Sequence, residues 1–290
     1  MKFSELLAGA AIQPGHVLML RHRPPHPTLK NLLPSFAMER PELFNAYQQT
    51  QRPRVESAMK KAAYVASFLG SNAGEALFVG LYAVGDHRPM TEKQFWAVPE
   101  YKELEPVGLA GFFASAERPS ILWFDLQLTE FYANWKGKLV LDWPGKERSW
   151  FRWADRGEFP VRAIHNESAL TSPMPPWDEI ILPYDELLVL PTSWKKELSS
   201  WRGVYLILDV SDRKPYVGSA YGTENIYGRW TEYVGGKNGG NRLMQDRDPK
   251  NFRFSILQRA SSDIGVSEIV AIENNWMNRL HSHAPHGLNN

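Results

Sequence analysis

Residues 203–218 read Gly-Val-Tyr-Leu-Ile-Leu-Asp-Val-Ser-Asp-Arg-Lys-Pro-Tyr-Val-Gly. Residues 204–208 are an unbroken β-branched, aromatic and aliphatic run, 209–215 are polar and turn-forming, and Tyr216-Val217-Gly218 resumes an extended pattern. Two short strands around a polar loop predict a hairpin, with Tyr205 and Tyr216 at corresponding points on it. A tyrosine in a strand is ordinarily a half-buried aromatic, so the pair alone specifies no chemistry.

The residues that follow add to it. Ser219-Ala220 leads into Ile226-Tyr227-Gly228-Arg229-Trp230, with Tyr233 four residues beyond Arg229. Residues 252–257 (Phe-Arg-Phe-Ser-Ile-Leu) read as a third strand, Glu273 sits in a helical run over 268–280, and Gly287-Leu288-Asn289 lies near the end. In this order the elements resemble the GIY-YIG nuclease family over the last third of the chain. The resemblance implies an α+β domain at 173–290 with a small three-stranded antiparallel sheet and flanking helices. It further implies Arg229 as an essential helix arginine, Tyr205 as the proton acceptor with Tyr216 hydrogen-bonding or sharing the role, and Tyr233 at a His/Tyr position. Glu273 then corresponds to a single metal-binding carboxylate, and Asn289 to a terminal Gly-x-Asn residue, either near the metal or tying down the chain end.

Phosphodiester hydrolysis requires a deprotonated water, stabilised charge on the non-bridging oxygens and a neutralised leaving oxygen. The segment offers one well-placed acid, Glu273, while Asp209, Asp212 and Asp263 fall in turns. That suits one hydrated Mg²⁺ (or Mn²⁺) rather than a two-metal carboxylate cluster. An unperturbed tyrosine, with a pKa of ~10, is a poor base at neutral pH, and a nearby cation and guanidinium favour its phenolate. Arg229 can clamp a phosphate with its planar fork, and Tyr233, one turn on, shares its helix face.

A chain of 290 residues has room for two domains, and a net charge of +1 confines any nucleic-acid surface to a local patch. The absence of cysteine excludes disulfides and thiolate metal sites and fits a reducing, cytoplasmic compartment. No apolar run approaches ~18 residues, so no membrane span or signal peptide is expected.

In the first 172 residues, helices are expected at 1–12, 36–47 and 55–69, and a basic, proline-broken surface loop at 21–27. Strands are expected at 16–20, 76–85, 121–126, 138–143, 149–153 and 161–165. These predict a mixed β-barrel-like domain with N-terminal helices, loosely similar to PUA-like barrels, a superfamily that includes modified-base readers. Trp143, Trp150 and Trp153, with Trp123 and Trp135 nearby, admit two readings. They fill a barrel core, or some of them sandwich a flipped base at ~1–3 kcal/mol per stacked base. In the second reading Trp143 and Trp153 meet across a hairpin turned at Pro144-Gly145. Arg148, Arg152, Arg156 and Arg162 hold flanking phosphates, and Asp142 and Asp155 accept from an exocyclic amine.

Residues 172–176 (Ser-Pro-Met-Pro-Pro) read as an extended linker, and 177–191 as packing on the C-terminal domain. Thr192-Ser193 is expected to cap a helix over 194–201, with Glu197 returning a bond to the cap. The Gly235-Gly236-Lys237-Asn238-Gly239-Gly240 stretch lacks phosphate-loop spacing and reads as a mobile loop in which Lys237 is a candidate DNA contact. His281, His283 and His286 are expected as surface histidines.

The combined expectation is a Mg²⁺-dependent endonuclease of double-stranded DNA, unmodified or modified, in restriction or anti-phage defence, its N-terminal domain choosing the target. The alternatives are a catalytically inactive nucleic-acid-binding module, a repair nuclease or an RNA nuclease. Concerted cutting of both strands would require a homodimer or repeated binding.

Overall fold

The apolar runs of the N-terminal half pair side by side. The structure is a computed structural model that describes every residue except 71, 145–149, 171–173 and 237–240. It divides into two compact units, Met1–Ser172 and Pro173–Asn290.

In the first unit, helix α1 (Phe3–Gly9) precedes strand β1 (Val17–His22), which is buried at every position. Strand β1 runs parallel to β2 (Tyr64–Leu69), a pairing that requires a crossover. Helices α2 (Pro27–Glu39), α3 (Pro41–Gln49) and α4 (Pro53–Met59) supply it, each opening on a proline in the first turn, where a missing N–H costs nothing. The long β3 (Glu75–Met90) pairs with β2 and, beyond it, with β4 (Ile121–Leu128), while its first residues pair with β5 (Leu139–Asp142). Helices α5 (Glu92–Phe95) and α6 (Pro99–Leu104) lie between β3 and β4. Strand β6 (Phe151–Trp153) adds to β1, and β7 (Val161–Ile164) adds to β5.

The result is a curled mixed sheet in the order β6-β1-β2-β3-β5-β7, bent by register shifts after Ser67 and after Val84. Among the described residues β6 and β7 do not pair with each other, so the expected barrel does not close. The parallel β1–β2 pair puts a helical crossover where a small antiparallel barrel would have a hairpin, and nothing in the fold supports the PUA-like resemblance.

Three local expectations are corrected. Residues 55–69 are not one helix but α4 followed by β2, because a short buried apolar run has no periodicity that separates strand from helix. The helix expected at 36–47 is the end of α2 and most of α3, restarted at Pro41. Arg21 and His22 are not surface loop but the buried end of β1. Arg21 is satisfied there by carbonyls, its Nε donating to Glu75 O at 2.7 Å and its Nη2 to Asn72 O at 2.8 Å. The His22 ring meets Phe44 and Tyr47 edge-on at 5.6 and 5.3 Å.

The second unit is α+β. It runs through β8 (Ile181–Pro183), α7 (Tyr184–Leu188), α8 (Thr192–Ser200), the hairpin β9 (Arg202–Asp209) and β10 (Lys214–Ala220), α9 (Asn225–Val234), β11 (Phe252–Ala260) and α10 (Val266–Leu280). The sheet is antiparallel in the order β10-β9-β11-β8, with four strands rather than three. The added β8 sets Leu182 opposite Phe254 in the core, but at three residues it is too short to leave a periodic signal. Helix α8 starts at Thr192, two residues before the span expected, with Pro191 rather than Thr192 at the N-cap position. Ile180, Leu182, Leu187 and Leu190, from the stretch before α8, join the core of this unit.

Alternation sorts β9 and β10 between two cores. Tyr205, Ile207, Tyr216 and Ala220 face α9, through Ile226, Trp230 and Tyr233. Val204 and Val217 face α10, through Ile269. Because β10 is the edge strand, groups from both faces can meet beside it.

Candidate active site at the edge of strand β10

The hairpin register sets Tyr205 opposite Gly218 and Tyr216 opposite Ile207. The tyrosines are thus two positions out of register rather than facing each other, and this makes room for Tyr205. Its hydroxyl lies over Gly218, where a Cβ would come within 2.5 Å of it, so only glycine fits opposite the ring. Tyr205 is fully buried, and among the described residues its hydroxyl has no partner in hydrogen-bonding geometry, although Arg229 and Tyr233 lie near enough to act on its ionisation.

Helix α9 lays three side chains over this pair. The Tyr233 hydroxyl donates to the Tyr216 hydroxyl at 2.9 Å. The Tyr233 ring is 6.4 Å from Tyr205 and 5.6 Å from Tyr216, and Trp230 meets Tyr205 edge-on at 6.4 Å. The Arg229 guanidinium sits 5.7 Å from the centre of the Tyr233 ring. Its Nη1 donates to Glu232 Oε2 at 2.7 Å, one turn along the same helix. Burial lifts all three phenols well above their ordinary range, and Arg229 offsets only part of it. Arg229 alone does not offset the desolvation of the three phenols, which holds them toward the neutral form.

Glu273 reaches the same edge from the other face of the sheet. Ile269, one turn before it, packs on Val204 and Val217, which brings Glu273 over Ser219. The Ser219 hydroxyl donates to Glu273 Oε2 at 2.5 Å. Burial raises the pKa of Glu273, while Ser219 and the charge of Arg229 pull it back. Arg229 acts electrostatically on Tyr205, Tyr216 and Glu273 alike, so one guanidinium serves both faces.

Among the described residues there is no group of three His, Cys, Asp or Glu side chains fit to hold an ion. The donor set is a single carboxylate beside neutral phenols. It fits a hard cation that keeps most of its waters and takes one or two carboxylates plus phosphate oxygens, as Mg²⁺ does. Glu273 would hold it.

Asn289 is placed differently from the other predicted site residues. Its Oδ1 accepts from Val217 N at 2.9 Å and its Nδ2 donates to Val217 O at 2.8 Å. Leu288 N donates to Pro215 O at 2.9 Å, and the buried Asn241 donates to Leu288 O at 2.7 Å. Residues 288 and 289 therefore lie along the outer edge of β10, with both halves of the Asn289 amide bonded to the Val217 backbone. Asp209 is also not the turn residue expected: it is buried at the end of β9 and paired with Arg247 at 2.6 Å. His281, His283 and His286 are exposed.

The residues proposed for nucleic-acid contact in the first unit do not form one pocket. Trp143 is 3% exposed and packs on Phe68 and Phe159 at 6.3 and 5.2 Å, so for it the core reading holds. Strands β5 and β6 are not a hairpin: β5 lies between β3 and β7, and β6 pairs with β1. Trp153 opposes Leu18 and Arg152 opposes Met19, so Arg152, not Trp153, shares the face of Trp143, its guanidinium 5.9 Å from that ring. Trp150, Arg152 and Trp153 are half-buried, and Asp142 is engaged by Arg162 at 2.7 Å. Lys237 and Arg148 lie outside the described residues.

Two side chains at the C-terminal site carry no role in the sequence reading. Glu232 is legible in retrospect as an i,i+3 partner of Arg229. Ser219 requires knowing that α10, and not α9, covers its face of β10.

No protein-family model and no curated protein matches this chain. Among solved structures, a point mutant of the catalytic domain of intron endonuclease I-TevI is similar at 26% identity over 31% of this chain and 92% of that one, with a TM-score of 0.26. The catalytic domain of homing endonuclease I-TevI is similar at 26% identity over 30% of this chain and 95% of that one, with a TM-score of 0.25.

Proposed function

We propose that the C-terminal unit is a divalent-cation-dependent endonuclease that hydrolyses DNA phosphodiester bonds. The observation that carries this reading is the meeting of Tyr205, Tyr216, Tyr233, Arg229 and Glu273, drawn from both faces of the sheet, beside one edge strand. Each suits one requirement of the reaction. Arg229 leaves Glu232 to grip two oxygens of the scissile phosphate, for which a planar fork is suited and an ammonium is not. Tyr205 lies on the rigid hairpin with an unengaged hydroxyl, able to orient the attacking water and take its proton. It is a competent base only where added positive charge beside it offsets its burial. Tyr216 and Tyr233 share a hydrogen bond that fixes both rings and positions Tyr205 through Tyr233. Glu273 would hold the cation, which would supply charge neutralisation at the phosphate and the leaving oxygen. Trp230 packs edge-on against the Tyr205 ring, and Gly218 lets the backbone of β10 approach it.

We further propose that the N-terminal unit selects the DNA, with half-exposed Trp150 and Trp153 as contacts and Arg152, on the face of Trp143, not among them, and that the chain acts in defence against foreign or modified DNA. A base sandwich that includes Trp143 is not part of this reading, since that ring is core. The test of activity is incubation of supercoiled plasmid with the full chain in Mg²⁺ and in EDTA. Nicked or linear product in Mg²⁺ alone supports the reading. Tight DNA binding without cleavage in either favours an inactive binding module. Parallel digestion of unmodified and cytosine-modified phage DNA tests the selection.

A further inference from the structure

We propose that Ser219 is the positioning residue of the cation site: its hydroxyl fixes Oε2 of Glu273 so that Oε1 is left as the single protein oxygen offered to the ion. The inference rests on the nuclease reading above. Its basis is geometric. The Ser219 hydroxyl donates to Glu273 Oε2 at 2.5 Å, at the short end of the hydroxyl range. No other described side chain donates to Glu273.

The two residues are held from opposite sides. Ser219 is on β10, whose backbone is paired with β9 through Val204 and clamped two residues earlier by Asn289 at Val217. Glu273 is on α10, pinned by Ile269 one turn away against Val204 and Val217. A glutamate has three rotatable bonds, and a half-buried one with no partner would sample several rotamers. Here one hydroxyl selects among them, and a single-carboxylate site has no second ligand to do so. Partners that orient a ligand in this way are worth about 10–100-fold in metal affinity.

The test is Mn²⁺ binding to the full chain without DNA, followed by calorimetry and by the loss of the free-Mn²⁺ electron paramagnetic resonance signal. The variants are Ser219→Ala, Ser219→Thr, Ser219→Val and Glu273→Gln. Thr and Val are near-isosteric and both suit a strand, so the pair isolates the hydroxyl from packing. The expected result is binding weakened about 10-fold or more in S219A and S219V, near unsubstituted affinity in S219T, and binding lost in E273Q. In cleavage assays the Mg²⁺ concentration for half-maximal rate should rise in S219V by the same factor, with KM for DNA unchanged.

Equal Mn²⁺ affinity in S219T and S219V, with binding lost in E273Q, overturns the role of Ser219 and leaves the single-carboxylate site standing. Binding that E273Q does not alter, or no binding by the unsubstituted chain, overturns the cation reading and this inference with it.

Discussion

Asn289 holds Val217 by both halves of its amide, Oδ1 to the Val217 N–H at 2.9 Å and Nδ2 to the Val217 carbonyl at 2.8 Å. The strand it holds carries Tyr216 on one face and Ser219 on the other, so the chain end fixes both halves of the site. Asn289→Ala removes two buried hydrogen bonds, each worth ~0.5–1.5 kcal/mol, and should lower stability by ~1–3 kcal/mol in denaturant titration. Cleavage should fall with it, while the Mg²⁺ requirement stays near that of the unsubstituted chain. A variant of full stability with abolished cleavage would make Asn289 a reacting group.

Tyr205 and Tyr216 differ in a way that separates two effects of the same substitution. Among the described residues no group meets the buried Tyr205 hydroxyl in full hydrogen-bonding geometry, so Tyr205→Phe should cost little stability. Its cleavage rate should fall ~10²–10⁴-fold, the usual worth of a general base. Tyr216→Phe breaks the bond from Tyr233 and should be the less stable of the two, with the smaller loss of rate. The opposite ranking in rate would move the base to Tyr216.

Arg229 is held by Glu232 before substrate arrives. A partly exposed ion pair is worth up to ~1 kcal/mol, which is about a 5-fold effect on an equilibrium. Glu232→Gln should therefore tighten DNA binding by up to about 5-fold, read by fluorescence anisotropy in the Glu273→Gln background to prevent cutting. Weaker binding would mean that Glu232 aims Arg229 at the phosphate instead of competing with it.

His22 predicts a pH signature in the N-terminal unit. Burial lowers its pKa from 6.5 to about 4, with Gln48 opposing. The unfolded chain therefore takes up a proton below about pH 6.5 and the folded chain only below about pH 4. Between these values the unfolded state holds more protons, so stability falls as pH falls across that window, by roughly 3 kcal/mol in full. Denaturation midpoints at about pH 5 and about pH 7.5, chosen to straddle the ordinary histidine pKa, should differ less in His22→Gln than in the unsubstituted chain. An identical drop in both would place the acid sensitivity elsewhere.

The hairpin is legible in the sequence because its strands carry unbroken apolar runs around a polar turn, and the runs near 226, 252 and 268 each start a real element. What is not legible depends on partners distant in sequence. Register decides that Tyr205 faces Gly218 and not Tyr216. Ser219 is only a polar residue after a glycine until α10 is placed over it. Burial of Arg21 and His22 follows from β1 being paired with β2 as far as His22 and from α3 covering the His22 ring through Phe44 and Tyr47, which no local signal announces beside Pro24 and Pro25. Strand β2 reads as helix because a fully buried strand shows no alternation. Trp143 goes to the core and Trp153 to the other face because β6 pairs with β1, a choice that the sequence spacing of tryptophans does not encode.

The most direct measurement of the central claim is cleavage of supercoiled plasmid by the unsubstituted chain and by Glu273→Gln across a Mg²⁺ titration, with DNA binding measured in parallel. The substitution keeps the side chain's shape and the bond from Ser219 while removing the anion. The account predicts Mg²⁺-dependent nicking by the unsubstituted chain, a loss of at least about 10²-fold in the variant at every Mg²⁺ concentration, and DNA binding unchanged in both. Near-normal cleavage by Glu273→Gln, or cleavage by the unsubstituted chain that persists in EDTA, would contradict it.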